Sequence, residues 1–293
     1  MTEAARKLRK LLASQELVLA PGAYDCITAR AIARAGFPAC YMTGAGTSAA
    51  LGYPDYGLVT MSEMADNAGR ISATIDLPLI ADADTGYGNE LNVTRTVREY
   101  ERRGVAALHI EDQDFPKKCG HLENKSVIAL DAYLQKIRAA VAARRSNDFA
   151  VIARTDSRAT LGFEEAVRRA NAALEAGADV AFVEAPQDME EVAAVPRLVR
   201  GPCLLNLVWR GKTPEVPFAD AARMGYRIAI LPGLLVKTVH GICDEILAQT
   251  LNQGRHALPP GDINVRDAFR RVGADDWDSV SRQFGTTVPH AAE

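Results

Sequence analysis

The residues best able to do chemistry stand together in Glu111-Asp112-Gln113-Asp114-Phe115-Pro116-Lys117-Lys118-Cys119-Gly120-His121-Leu122. An apolar run, Ala106-Ala107-Leu108-His109-Ile110, ends in two carboxylates and breaks into a loop that sets a cysteine among two lysines and a histidine. A free thiol titrates near ~8.5, and neighbouring cations favour its thiolate. Lys117, Lys118 and His121 can supply that field, and Gly120 lets the backbone fold closely around the sulfur. Such a thiol exchanges a proton near neutral pH. The same letters also fit a small buried cysteine beside a solvated Lys-Lys turn.

Other apolar runs end in the same way. In Leu79-Ile80-Ala81-Asp82-Ala83-Asp84 two acids sit one residue apart, and on a strand positions i and i+2 share a face. Carboxylates converging there repel unless a cation lies between them. Hard oxygen donors without a histidine cluster favour Mg²⁺ or Mn²⁺ over Zn²⁺. Capping or turn aspartates are the alternative. Arg154 closes the run 150–154 and can grip a carboxylate with its planar fork, or pair with a neighbouring acid. Glu184 and Asn206 end two further runs. Thr43-Gly44-Ala45-Gly46-Thr47-Ser48 reads as a small-residue loop, either plain or offering N–H groups to an anion.

Eight β-type runs, 17–20, 39–42, 79–84, 106–111, 150–156, 179–184, 203–208 and 227–231, alternate with helical segments. That alternation predicts parallel strands in an α/β fold, a (β/α)₈ TIM barrel, whose functional groups gather at the C-terminal strand ends. An open doubly wound sheet would want a glycine fingerprint after its first strand, which is missing. Residues 1–254 are expected to form the barrel and 255–293 a helical tail carrying Phe269, Val272, Trp277, Val280 and Phe284. The segment 1–10 is charged and amphipathic, with Leu8, Leu11 and Leu12 on one face.

A chain of 293 residues that is 48% hydrophobic can bury a large core. Its net charge of -3 offers no footprint for nucleic acid, and no apolar run is long enough for a membrane span. Of five cysteines, Cys26, Cys40, Cys203 and Cys243 read as core residues, as in a reducing compartment. A cytoplasmic protein acting on small molecules is the expectation.

The string 111–121 resembles the signature of the isocitrate lyase and phosphoenolpyruvate mutase superfamily, whose lyase branch carries Lys-Lys/Arg-Cys-Gly-His after a strand ending Glu-Asp-Gln. The resemblance runs from Pro21-Gly22-Ala23-Tyr24-Asp25 to the tail. It implies that Tyr41, Thr43, Gly44 and Ala45 bind the carboxylate of an α-keto acid, and that Asp55, Asp82, Asp84 and Glu111 hold Mg²⁺. It further implies that Gly120, His121, Arg154, Glu184 and Asn206 line the site, with Lys117 beside them. The implied reaction is lyase cleavage of a C–C bond in a 2-hydroxy acid to pyruvate or glyoxylate. Cys119 is then the acid, and Tyr41, Arg154 or Glu184 takes part in removing the hydroxyl proton. The resemblance also implies a homo-oligomer, a tetramer, with tails exchanged between subunits.

Substituted malate or methylisocitrate is the implied substrate class; carboxyphosphonoenolpyruvate or oxaloacetate chemistry and a catalytically silent binding protein are the alternatives. One departure bears on this choice. Relatives that cleave alkylmalates read Asn-x-x-Glu-Gly-Gly-Lys-Thr-Pro, whereas this chain has Asn206-Leu207-Val208-Trp209-Arg210-Gly211-Lys212-Thr213-Pro214. Trp209 either walls the variable end of the substrate or packs on the barrel rim.

Overall fold

The computed structural model describes residues 3–14 and 16–285. The strands are β1 (Val18–Ala23), β2 (Cys40–Met42), β3 (Leu79–Asp82), β4 (Ala107–Glu111), β5 (Ala150–Thr155), β6 (Val180–Val183), β7 (Cys203–Asn206) and β8 (Ile228–Leu231). All pair in parallel and in sequence order, and β1 closes on β8 through Val18 to Pro21 against Ile228 to Leu231. The eight expected runs are these eight strands. The departures are at the ends: β1 continues through Pro21 and Gly22, because Gly22 and Ala23 pair with Tyr41 and Met42, whereas β3 and β7 stop at Asp82 and Asn206, two residues short of their runs. Asp84, with φ 47°, therefore lies beyond the strand and does not share its face with Asp82 by strand alternation.

Helix α1 (Glu3–Ala13) precedes the barrel. Between strands lie α2 (Cys26–Arg34), α3 (Gly44–Ala50), α4 (Met61–Ser72), α5 (Glu90–Arg102), α6 (Leu130–Ala143), α7 (Arg158–Leu161), α8 (Phe163–Glu175), α9 (Met189–Leu198) and α10 (Phe218–Met224). After β8 come α11 (Leu234–Gln253), α12 (Val265–Arg270) and α13 (Ala274–Phe284). Capping boxes fix the starts of α2, α4 and α5, where Asp25, Thr60 and Asn89 accept backbone N–H groups of the first turn. The 43–48 stretch is not the expected loop. Thr43 Oγ1 accepts from Gly46 N at 3.2 Å and starts α3, and burial of Gly44 and Gly46 overrides their poor helix propensity.

Strand alternation sorts the core into two layers. Leu79, Ala81, Leu108, Ile110, Val151 and Ala153 face outward to the helices, while Tyr41, Ile80, Ala107, Ile152, Phe182, Leu204 and Ile230 fill the barrel. Leu8 of α1 is fully buried against that inner layer, with Leu11 and Leu12 beside it. Arg9 pins the helix by donating to the carbonyls of Asn147, Asp148 and Phe149 and pairing with Asp179 at 2.8 Å. Thus α1 stoppers the N-terminal end, and the C-terminal strand ends are left for polar groups.

The chain divides into two compact units that part within α11, the first ending at Thr238 and the second beginning at Val239, before the boundary read at residue 254. In the second unit Phe269, Trp277, Val280 and Phe284 are exposed. Cys243, read as a core residue, is exposed as well, because no side chain of α11 is buried. Among the described residues no helix is long and apolar enough to cross a membrane.

Removing the stopper should be costly. Leu8→Ala is expected to destabilise the protein by about 2–5 kcal/mol, read as a lowered urea midpoint with an unchanged slope.

Candidate active site

The inward positions of the barrel run apolar at the bottom and charged at the top. Asp82 follows Ile80, Glu111 follows His109, Arg154 follows Ile152, Glu184 follows Phe182 and Asn206 follows Leu204, each two residues on and therefore on the same face. The register sets Asp82 against His109 and Glu111 against Arg154. All six side chains are buried. Just beyond β3 and β6, Asp84 (φ 47°) and Ala185 (φ 55°) adopt left-handed backbone, a conformation that costs non-glycine residues about 1–3 kcal/mol and clusters at functional sites.

The acids expected to hold a metal come together on one side. Asp82 Oδ2 accepts from Gly44 N at 3.2 Å and from the Tyr41 hydroxyl at 3.4 Å, and its Oδ1 accepts from Asp84 N at 2.9 Å. A Cβ on Gly44 would lie 2.5 Å from Asp82 Oδ2, so only glycine allows this approach. Lys117 reaches back from its loop to pair with Asp84 at 2.6 Å and with Asp55. Burial raises Asp84, the charges of Asp82 and Asp55 add to it, and the carboxyl stands at about 6 despite Lys117. Burial likewise pushes Glu111 well up, and its Oε1 is enclosed without a hydrogen-bond partner. Burial opposes the charge on Asp82, but His109, Lys117 and Arg154 bring it down to about 2.

Hard-oxygen donors that crowd one another and include an orphaned oxygen fit a divalent cation. Among the described residues, no three such side chains already converge on a coordination point; the Lys117 ammonium occupies the gap between Asp55 and Asp84.

The other side is built on Arg154. Its Nε lies 2.8 Å from Asp156 Oδ2 and 3.1 Å from Glu111, and its Nη2 lies 3.2 Å from Asp156 Oδ1 and 3.5 Å from Glu184. The acid-paired alternative is thus realised, yet Nη1 donates to no protein group among the described residues, leaving one edge for a ligand. Glu184 also receives Asn206 Nδ2 at 3.1 and 3.2 Å and His121 Nε2 at 3.1 Å. Burial works against its charge, but Arg154 and His121 hold it well below the carboxylate range. Gly120 packs between the two, since a Cβ there would sit 2.5 Å from Arg154 Nη2.

Four expectations need correction. Cys119 is not activated by its neighbours: burial and the charge of Asp55 raise its thiol, because Lys117 turns toward Asp55 and Asp84. The thiol keeps its proton. Tyr41 is a poor base, since burial and Asp82 push its phenol well up. Gly44 N is spent on Asp82 and Gly46 N on Thr43, so in the set 41–45 the N–H groups assumed free are partly taken; Ala45 remains in the first turn of α3. Trp209, finally, does not join the cluster. It is 63% exposed and lines an outward cavity of about 540 Å³ with Leu207, Phe218 and Leu231.

Four polar residues went unread. His109, two before Glu111, shares a hydrogen bond with the Tyr41 hydroxyl through Nε2 at 2.8 Å and stacks on that ring; burial lowers it to about 4, so it is neutral at pH 7. Its parity with Glu111 is the signal that marks it. Asp156 and Lys125, paired at 2.7 Å, anchor the loop below Gly120. Asp112 accepts from Thr155 at 2.6 Å, Asp156 N at 2.8 Å and Arg169 at 3.0 Å, tying that loop to α8.

A protonated Cys119 has a direct test. Alkylation by iodoacetamide at pH 7.5 should reach the exposed Cys243 first, and the rate at Cys119, followed by peptide mass spectrometry, should climb only above the pH at which an ordinary thiol reacts. A fast reaction at neutral pH would contradict the geometry.

The sequence pattern of the phosphoenolpyruvate phosphomutase family matches residues 8–251. A 2,3-dimethylmalate lyase of Eubacterium barkeri is 48% identical over 229 residues, 78% of this chain and 79% of the relative. The solved structure of oxaloacetate acetylhydrolase with the inhibitor 3,3-difluorooxalacetate is 41% identical, with a TM-score of 0.93 over 97% of this chain and 98% of the other. Phosphonopyruvate hydrolase, solved with oxalate and Mg²⁺, is 31% identical, with a TM-score of 0.87 over 97% and 99%. With its closed barrel and its acids at the strand ends, this chain belongs to the phosphoenolpyruvate phosphomutase family, within the PEP mutase/isocitrate lyase superfamily, and is an enzyme with carbon–carbon lyase activity.

Proposed function

We propose that the chain cleaves a 2-hydroxy di- or tricarboxylic acid, of the substituted malate or methylisocitrate type, to pyruvate or glyoxylate and a second carboxylic acid. The observation that supports this reading is that Arg154, 3.1 Å from Glu111, and a Cys119 that keeps its proton share one barrel end with Asp55, Asp82, Asp84 and Glu111. Those four acids would hold Mg²⁺, or Mn²⁺, which supplies Lewis-acid polarisation of the forming carbonyl.

The free edge of Arg154 orients a substrate carboxylate. The substrate hydroxyl loses its proton, the C–C bond breaks as the carbonyl forms, and the electron pair moves to the carbon beside the departing carboxylate. Cys119 gives its proton to that carbon, for which a thiol that stays protonated at rest is suited. Of the three groups considered for removing the hydroxyl proton, Tyr41 is held protonated and Arg154 positive, whereas Glu184 is anionic in the resting site. Likeness to oxaloacetate acetylhydrolase favours oxaloacetate as a second reading, and acetate with oxalate as products would reveal it.

We also propose a cytoplasmic homo-oligomer, a tetramer, in which the exposed Phe269, Trp277, Val280 and Phe284 pack on a second copy. At spacings of three and four residues the last three share one stripe of α13.

Asp82→Ala and Asp84→Ala should each abolish turnover with the barrel intact by circular dichroism, and excess chelator should do the same reversibly. Full turnover in chelator would remove the metal from the mechanism. Cys119→Ser should lose most of kcat, because a hydroxyl is a far weaker acid, while still binding pyruvate or glyoxylate with Mg²⁺. Normal turnover by the serine variant would make the thiol structural.

A further inference from the structure

Two loops meet over the site, 112–129 after β4 and 207–217 after β7, and the point of meeting is His121. The backbone N–H of Lys212 donates to His121 Nδ1 at 3.0 Å. An amide N–H can only donate, so Nδ1 carries no proton, and the single proton of the neutral ring lies on Nε2. That nitrogen stands 3.1 Å from Glu184 Oε1. Asn206 Nδ2 approaches it at 3.4 Å but directs its hydrogens to Glu184 at 3.1 and 3.2 Å, so the imidazole N–H is the third donor on that carboxylate.

The loop is shaped to make this contact through its backbone. Gly211 N closes a turn on Val208 O at 2.8 Å, with Arg210 in the left-handed region (φ 54°). A Cβ on Gly211 would lie 2.7 Å from His121 Nδ1 and 2.9 Å from Cε1. Among the described residues the side chain of Lys212 pairs with Glu123 alone, at 2.6 Å, and that glutamate is 78% exposed, so the ion pair contributes little.

We propose that Gly211 and the peptide N–H of Lys212 are positioning elements that fix His121 as an Nε2–H donor toward Glu184, so that the loop after β7 sets the proton arrangement of the loop after β4. Because the anchor is backbone at 211–212, the side chains at 209–210 are free to differ from those of relatives without disturbing His121. The kinetic part of this inference rests on the lyase reading of the site; the tautomer does not.

Two measurements on the full-length protein test it. In ¹⁵N-histidine-labelled protein, the His121 resonances, assigned by their loss in His121→Gln, should show a bare Nδ1 and a protonated Nε2. A protonated Nδ1 in the wild type overturns the proposal without any variant. Lys212→Pro deletes the N–H and should lose the single-tautomer signature together with about 10–100-fold in kcat, with a smaller change in KM. Lys212→Ala keeps the N–H and should keep the signature. Equal losses of kcat in the two variants, or an unchanged signature in the proline variant, would overturn the positioning role. Should the proline variant not fold, Gly211→Ala serves instead, with the same signature and kcat loss expected. If the signature holds in a protein that cleaves none of the 2-hydroxy acids, the functional reading falls and this one stands.

Discussion

Everything at the open end of the barrel depends on neutralising charge where water cannot help. Asp55, Asp82, Asp84, Glu111, Asp156 and Glu184 face Lys117, Lys125 and Arg154, most of them wholly buried. In a low-dielectric interior each unpaired charge would carry a penalty of several kcal/mol, so every cation is shared between at least two acceptors. The excess of acids is uneven. Arg154, Lys125, His121 and Asn206 satisfy Asp156 and Glu184, whereas Asp84 and Glu111 remain raised by burial. That imbalance is the reason the proposed divalent cation is assigned to the second side and the proposed substrate carboxylate to the first.

The scaffold keeps this arrangement rigid by separating its functions along the strands. The bottom of the barrel is sealed by α1 and filled with apolar side chains, so the end remote from the chemistry carries no polar group of the site. The loops at the top are then held by side chains from below: Asp112 and Arg169 fasten the start of the β4 loop, Lys125 fastens Gly120, and Gln113 holds Lys118 through both its backbone groups at 2.8 and 3.0 Å.

Much of this was legible because a strand has a strict period of two. Each apolar run ending in a charged residue announced both a strand and an inward-facing group, and Asp82, Glu111, Arg154, Glu184 and Asn206 all lie where that rule puts them. His109 obeys the same rule and was passed over inside an apolar run. The errors have another origin. Sequence neighbours were taken as spatial neighbours around Cys119, but in a loop consecutive side chains point apart, and Lys117 answers to Asp55, 62 residues away. The helix α3 was missed because glycine propensity speaks against it, and only tertiary burial decides the matter. Trp209 was left between a wall for the substrate's variable end and a place on the barrel rim, because a loop has no period to decide which way a ring points; the ring is 63% exposed and lines an outward cavity.

The close approach at Gly44 and Gly120 has an evolutionary consequence. Every amino acid one nucleotide away from a glycine codon is larger, so no single step at either position can be tried without striking Asp82 in one case or Arg154 and Glu184 in the other. Change at these two walls therefore requires a neighbouring side chain to shift at the same time, whereas rim positions such as 209 and 210, whose side chains stand clear of His121, carry no such condition.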